Sequence, residues 1–457
     1  MLQIPSSRAS SRRSMRQERT RTILSIAGGT CISLGLAWTF CYLHFGRGDL
    51  SLVFVGLIAV GIFALHRVPR SDTTSLLIVA NGIFLVVCVI SLIDAPVAWV
   101  PRSAHLFLLP LAAGAASTFD ARERYGSLFF PLACLGMFSA FAIGALDPLA
   151  PGVSPPLEVR AWGARLNTAF SMALLVVVFA IYRNDIGRRL RLERELARAV
   201  RKGEFEVHYQ PQLLSNGAIT GAEALVRWRH PSGTLLAPDS FIPVAEDSAL
   251  ICDLGLEVLR QGCETLNDWS RDPATRGLKL AVNVSPMQLL DDEFLAAGAA
   301  LIRSSGINPG LLELELTESA LSADATLVAS RMTAFEKMGV TWALDDFGTG
   351  YSSLSTLRAL PVRKLKIDRR FVDEAVKQEG ARRLLGKIVE ISQVMGMDAL
   401  AEGVETTEQR DLLVSLGCTH FQGYLFARPM PGSAFRQWLV EHQSLHRTAG
   451  AEYAAAE

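Results

Sequence analysis

Residues 341–354 read Thr-Trp-Ala-Leu-Asp-Asp-Phe-Gly-Thr-Gly-Tyr-Ser-Ser-Leu. An apolar run ends abruptly in two adjacent carboxylates, Asp345 and Asp346, and 347–352 follows as a turn-prone loop with two glycines. The pattern predicts a strand that delivers two acids to its C-terminal end beside a flexible loop. Neighbouring residues on a strand face opposite sides. The two acids therefore share a site only where the strand ends and the backbone turns. Side by side they repel one another unless a proton or a cation intervenes. An acidic strand end is ordinary taken alone, and the surrounding pattern decides its meaning.

On either side of this stretch the chain alternates between strand and helix patterns. Strands are predicted at 207–213, 219–228, 278–284, 311–317, 341–344, 364–367, 399–401 and 421–426. Helical patterns at 254–269, 294–304, 324–338 and 382–395 separate several of them. Eight strands alternating with helices predict a TIM-like (β/α)8 barrel. The first two strands are joined only by a short turn around Ser215-Asn216-Gly217. A tight hairpin makes its strands antiparallel, so one strand is expected to run against the others.

Polar residues recur at the downstream ends of these strands: Glu223, Asn283, Glu315, Asp345, Asp346, Lys366, Glu402 and Gln422. In LLELELTE, leucines alternate with Glu313 and Glu315, which places both acids on one strand face. Barrel interiors are ordinarily filled with branched apolar side chains, so acids and amides at one rim imply a polar pocket. Oxygen donors without histidine or cysteine point to a hard divalent ion, Mg2+ or Mn2+.

The first half of the chain is a different object. Residues 1–200 carry 20 Arg, no Lys and 11 acids, whereas 201–457 carry 25 basic and 34 acidic residues. Apolar runs at 23–45, 50–65, 75–92, 104–117, 128–146 and 168–182 predict about six membrane helices, the run at 104–117 being short. With the N-terminus inside, fifteen arginines fall in cytoplasmic segments against four outside, Arg47, Arg102, Arg160 and Arg165, in accord with the positive-inside rule. The longest extracytoplasmic segment is then 147–166. Six spans return the C-terminal half to the cytoplasm, with the chain in the cell membrane. The spans hold hardly any acid in their apolar cores, which disfavours an ion pathway. Seven cysteines form no CxxC pair, which argues against a zinc site or a disulfide framework. No basic face interleaved with aromatics is present, and no nucleic-acid polymer is expected as a partner.

Over 192–438 the chain resembles the EAL-domain family of cyclic di-GMP phosphodiesterases. The resemblance rests on YQPQ at 209–212, EALVRW at 223–228, FIPVAED at 241–247, NVSPMQL at 283–289 and ELTES at 315–319. It continues through DDFGTGYSSL at 345–354, LKIDR at 365–369, AEGVE at 401–405 and QGYLFARP at 422–429. It implies a first metal held by Glu223, Asn283, Glu315 and Asp345, and a second held by Asp345, Asp346 and Glu402, with Asp345 bridging. Lys366 is then expected to hold the attacking water. Lys366, Glu402 and Glu223 are the implied catalytic residues, with the identity of the general base left open. Gln210, Leu225 and Arg227 are implied at the substrate, Arg227 gripping a phosphate. Gln422 supports the metal shell, and Glu318 braces the 347–352 loop without binding metal. Glu246 and Asp368 are matched by motif only and carry no metal role.

The implied reaction opens cyclic di-GMP to linear pGpG with two Mg2+ or Mn2+ ions, Ca2+ being inhibitory. The alternative is a catalytically silent cyclic di-GMP receptor that signals through protein partners. The expected organisation is a basic cytoplasmic segment 1–22, a transmembrane domain 23–182, a helical linker 183–202, the barrel 203–440 and a disordered tail 441–457. The lipid bilayer and a second copy, paired through the barrel, are the expected partners.

Overall fold

The computed structural model describes residues 8–70, 72–94, 96–97, 99–119, 123–151, 156–348 and 354–454, with side chains for all of these except 8–19, 322–323 and 445–454. The chain divides into two compact units, one covering Arg12–Leu190 and the other beginning at Arg191.

In the first unit, five helices are long and apolar enough to cross a membrane: Thr20–His44, Gly48–Arg67, Thr73–Ile93, Tyr125–Ala142 and the start of Leu157–Lys202. The apolar helical stretch Ala104–Thr118 is shorter than the ~20 residues that a bilayer core requires. The last long helix begins at Leu157, so Arg160 and Arg165, expected in an outer loop reaching 166, stand on helix instead. The prolines that suggested a loop end at Pro156, and nothing after it breaks a helix. Asp94 accepts from the Ser103 backbone N–H at 2.8 Å and stands 3.7 Å from Arg160, while Arg102 pairs with Asp147 at 2.6 Å. The same helix carries residues 183–202 to its end at Lys202.

The second unit is a closed barrel of eight strands: β1 Phe205–Leu214, β2 Ile219–Arg229, β3 Lys279–Val284, β4 Leu312–Thr317, β5 Thr341–Phe347, β6 Lys364–Ile367, β7 Asp398–Ala401 and β8 His420–Phe421. β2 to β8 pair in parallel in that order. β1 closes the ring by pairing antiparallel with both β2 and β8. Short strands at Leu235–Leu236 and Met430–Pro431 add further antiparallel pairings outside the ring.

The alternation of β4 sets the layering. Leu312, Leu314 and Leu316 join the continuous apolar cluster with Val282, Trp342 and Leu365. Glu313 and Glu315 instead meet Lys364 and Lys366 on β6. β4 and β6 are not hydrogen-bonded to each other, so those contacts cross the barrel interior.

Two boundaries differ from the sequence expectation. The eighth strand, predicted at 421–426, ends at Phe421 because the Val404 N–H takes the Gln422 carbonyl at 3.1 Å and the Leu425 N–H returns to Val404 at 3.0 Å. The chain turns there rather than extending. The tail expected to be disordered from 441 continues the helix Gly432–Ala454. Phe435 and Leu439 anchor that helix in the core, and Gln443 donates to the Ala274 carbonyl at 3.3 Å, so packing reaches past the 440 boundary.

Candidate active site

β5 pairs with β6 as Leu344 with Leu365 and next as Phe347 with Ile367. Asp345 and Asp346 thus stand opposite a single residue, Lys366, which is a β-bulge. Asp346 takes a φ of +55°, and its N–H donates to Asp345 Oδ1 at 2.9 Å. A left-handed conformation at a non-glycine residue costs of order ~1–3 kcal/mol and persists only where its surroundings enforce it. The bulge resolves the alternation problem: both carboxylates are buried and both line one cleft. Gly348 follows at φ +102°, where a Cβ would run into the Phe371 ring. The Gly348 N–H donates to Glu318 Oε2 at 2.9 Å, fixing the start of the loop to a buried acid. Residues 349–352 of the predicted loop, with 353 after it, lie outside the described residues.

Lys366 is the centre of the cluster. Its Nζ lies 2.6 Å from Glu315, 2.8 Å from Glu402, 3.5 Å from Asp345 and 3.6 Å from Glu223. Glu223 is held on both oxygens: Asn283 Nδ2 donates to Oε1 at 2.6 Å and Gln422 Nε2 to Oε2 at 2.5 Å. Glu402 is set by its backbone N–H, which donates to the Ile367 carbonyl at 3.1 Å and extends the β6–β7 pairing by one step.

The electrostatics follow from crowding. Burial, with neighbouring carboxylates adding to it, pushes Glu315 and Glu402 well above the usual carboxylate range against the opposing pull of Lys366. Asp346 rises to about 7 through burial, then through the charges of Asp345 and Asp368. Glu223 goes the other way: burial works against its charged form, but Lys366 and the two amides hold it below the usual value. Burial alone would lower Lys366, yet Asp345, Glu223, Glu315 and Glu402 override it and hold the ammonium well above the ordinary lysine value. The lysine is a fixed cation and hydrogen-bond donor, not a base.

The cluster forms the floor of a cleft of about 250 Å³. Gln210, Leu225 and Arg227 line it with Glu223, Asn283, Asp345, Asp346, Glu402 and Gln422. Glu318 stands behind the loop start at Gly348 rather than in this lining. Every residue expected at the site is thus brought to the cleft or, for Glu315, Glu318 and Lys366, directly behind it.

The EAL domain model matches residues 193–429, more than half of the chain. The chain belongs to the EAL-domain family. It is 38% identical over 245 residues to the bifunctional diguanylate cyclase/cyclic di-GMP phosphodiesterase MucR of Pseudomonas aeruginosa, covering 53% of this chain and 36% of that protein. It is 36% identical over 264 residues to the cyclic di-GMP phosphodiesterase PdeR of Escherichia coli, covering 57% and 40% respectively. Among solved structures, the MucR phosphodiesterase in complex with c-di-GMP superposes with a TM-score of 0.52 at 35% identity, covering 54% of this chain and 99% of that one. The EAL enzyme Bd1971 superposes with the same score at 27% identity, covering 59% and 76%. The chain spans about a third of the length of the curated relatives it matches, 32–40%.

The donor set of this EAL barrel fits divalent cations. Asp345, Asp346 and Glu402 can offer carboxylate oxygens within 4.8 Å of one another. Among the described residues, Glu315 Oε1 and Asp346 Oδ1 are buried acceptors that meet no hydrogen-bond donor. Such oxygens cost free energy unless something positive meets them. Glu223, Glu315, Asp345, Asp346 and Glu402 against Lys366 leave four negative charges when all are ionised, the charge of two divalent ions.

Arg369 and Tyr424 also line the EAL cleft and were given no role from sequence. Arg369 is tied to Glu405 at 2.7 Å and Asp373 at 3.1 Å, and Tyr424 lies under the Arg428 guanidinium at 4.5 Å. Both fall inside quoted motifs, yet nothing in the order of residues says which of their neighbours reach the cleft. Glu246 accepts from the Ser285 hydroxyl at 2.8 Å, and Asp368 caps the helix Arg369–Lys377 through the Arg370 N–H at 2.8 Å. Those are structural tasks, although Asp368 also stands close enough to Asp346 to act on it.

Proposed function

We propose that this chain is a membrane-anchored phosphodiesterase that hydrolyses cyclic di-GMP to linear pGpG with two divalent cations, Mg2+ or Mn2+. The observation that carries the reading is the convergence of four carboxylates, Glu223, Glu315, Asp345 and Glu402, on one buried lysine, with Asn283 bonded to Glu223 and Asp346 lining the same open cleft. Glu223, Asn283, Glu315 and Asp345 would hold one cation, and Asp345, Asp346 and Glu402 the other. Cations bound there supply the Lewis acidity that makes water a nucleophile at neutral pH and neutralises charge on the leaving oxygen.

The chain's own residues do the rest. Arg227, at the cleft wall beside Leu225, grips a substrate phosphate by charge-assisted hydrogen bonds. Gln210 faces the substrate with one amide nitrogen already given to the Ala427 carbonyl at 3.2 Å. Lys366 donates toward the attacking water and keeps the surrounding carboxylates oriented. Glu402, reached by Lys366 at 2.8 Å, is one of the groups placed to take up the proton.

The five long apolar helices support a multi-pass membrane protein, with the barrel on the cytoplasmic side by the arginine count. A dimer through the barrel belongs to the same reading. The test is turnover of cyclic di-GMP by the purified full-length protein with Mg2+ or Mn2+, followed by identification of the product. Formation of pGpG supports the enzyme. Tight binding with no product in either metal overturns it in favour of a receptor.

A further inference from the structure

A second polar layer lies inside the barrel beneath the carboxylates, and the proposed chemistry makes no use of it. Lys364, two residues before Lys366 on β6, is 5% exposed. Its Nζ donates to Glu313 Oε1 at 2.5 Å and to Gln212 Oε1 at 3.0 Å. Gln212 Nε2 donates to Gln422 Oε1 at 3.0 Å. Gln422 Nε2 then donates to Glu223 Oε2 at 2.5 Å and to Gln210 Oε1 at 3.2 Å. All six side chains are buried, and the chain of bonds joins four strands and the residue after β8.

This chain of bonds has a direction. An ammonium has donors and no acceptor. Gln212 must therefore show Lys364 its oxygen, which sends its nitrogen toward Gln422. Gln422 accepts with its own oxygen, and its nitrogen is left facing Glu223 and Gln210. Turning either amide over would bring two acceptors, or two donors, together in a dry interior, where unmet polar groups are costly.

We infer that Lys364, anchored by Glu313, is a positioning residue for the active site: acting through Gln212, it orients the Gln422 amide so that its NH2 holds Glu223 and Gln210. The inference rests on the reading of Glu223 as a metal ligand. A residue that orients a ligand from behind sets metal affinity without touching the metal.

A purely structural role for this layer makes the opposite prediction, and position 212 separates the two. In Gln212→Glu a carboxylate still accepts from Lys364 but has nothing to donate to Gln422. The Gln422 amide then turns to donate toward position 212 and presents its oxygen to Glu223. In Gln212→Met nothing directs Gln422, which remains able to donate to Glu223. If Lys364 only needs a buried partner, Gln212→Glu is the milder change; if it sets orientation, Gln212→Glu is the more harmful.

The experiment measures Mn2+ binding, without substrate, by electron paramagnetic resonance on the detergent-solubilised full-length protein, with thermal unfolding of each variant alongside. Gln212→Glu is expected to bind Mn2+ about tenfold more weakly than wild type, and Gln212→Met to fall between them. Should Gln212→Glu fail to fold, the double variant Lys364→Leu with Glu313→Leu decides. Replacing a buried ion pair by apolar groups commonly preserves stability. With Gln212 and Gln422 left undirected, that variant is therefore expected to keep its unfolding midpoint while losing Mn2+ affinity by an intermediate factor, as Gln212→Met does. Binding by folded Gln212→Glu that is tighter than by Gln212→Met, or an unchanged Mn2+ affinity in the folded double variant, overturns the inference alone. Absence of Mn2+ binding in the wild type overturns the metal reading and the inference with it.

Discussion

Lys366 Nζ donates to Glu315 Oε2 at 2.6 Å across a barrel interior where both side chains are almost wholly buried. The ammonium is at the same time within 2.8 Å of Glu402 and 3.6 Å of Glu223. Removing it leaves buried carboxylates without their shared cation, a change that typically costs about 3–5 kcal/mol. Lys366→Met is therefore expected to lower the unfolding midpoint of the chelator-treated protein. Added Mn2+ should restore part of the loss, because a ligand that binds only the folded form stabilises it. Turnover should stay low even with metal. Unfolding curves with chelator and with Mn2+ check this, and an unchanged midpoint in chelator would count against Lys366 as the charge centre.

Glu223 is held on both oxygens by amides, which fixes it for a directional task. Glu223→Ala removes a donor proposed for the first metal and is expected to cut turnover by more than about a hundredfold, the upper range for losing a mere supporting partner. The barrel should remain folded, since Ala222 and Ala224 on the same strand are core residues and unaffected. Ca2+ is expected to inhibit the wild type: it takes a larger and looser oxygen shell than Mg2+. Rates measured with Mg2+, Mn2+ and Ca2+ test both statements. Near-wild-type turnover by Glu223→Ala, or strong support by Ca2+ alone, would rule out the assignment.

Glu318 accepts from the Gly348 N–H at 2.9 Å while itself being 1% exposed. The contact ties the first residue after β5 to the downstream end of β4. Glu318→Ala leaves that N–H and the left-handed Gly348 without their anchor, loosening Asp345 and Asp346 just upstream. Metal affinity and turnover should each fall by about tenfold, whereas Glu318→Gln, which keeps an acceptor oxygen, should recover most of both. Equal loss in the two variants would mean that the charge, not the hydrogen bond, matters.

The barrel was legible because its evidence is local and periodic. Alternation in LELELT, apolar runs ended by acids and the short 215–217 turn each restrict the chain on their own. The site residues were legible because they sit at strand ends, where a (β/α)8 barrel gathers them. The bulge at Asp345–Asp346 was not, since it depends on how β5 registers against β6 twenty residues later. Lys364 was invisible for the same reason: a lysine in KLKI reads as a surface residue until Glu313 and Gln212 are seen to converge on it. Strand β8 was overdrawn because 422–426 has strand-like composition, while Val404 takes the backbone partner needed to continue it. The tail from 441, expected to be disordered, continues a helix that Phe435 and Leu439 anchor upstream, a contact the order of residues does not register.

Topology provides the remaining prediction. The helix Gly48–Arg67 ends on Arg67, Arg70 follows in the turn, and Asp72 caps the helix Thr73–Ile93 through the Ser75 N–H at 3.3 Å. The next turn, by contrast, carries Arg102 paired with Asp147. With Arg160 and Arg165 on helix, the loops opposite the basic side hold little more than Arg47 and Arg102, which sharpens the asymmetry that orients a membrane protein. Reporter fusions after Gly48 and within 151–156 are therefore expected to lie outside the cytoplasm, and fusions after Asp72, Arg122 and Arg194 inside. Alkaline phosphatase and green fluorescent protein fusions at these five positions give opposite signals on the two sides. The short apolar helix Ala104–Thr118 is the critical element, because it must cross for the order to hold. If it does not, the fusion at Arg122 remains on the outer side and the count of spans drops by one. A barrel found outside at Arg194 would be separated from a cytoplasmic dinucleotide, and the proposed reaction would fall with it.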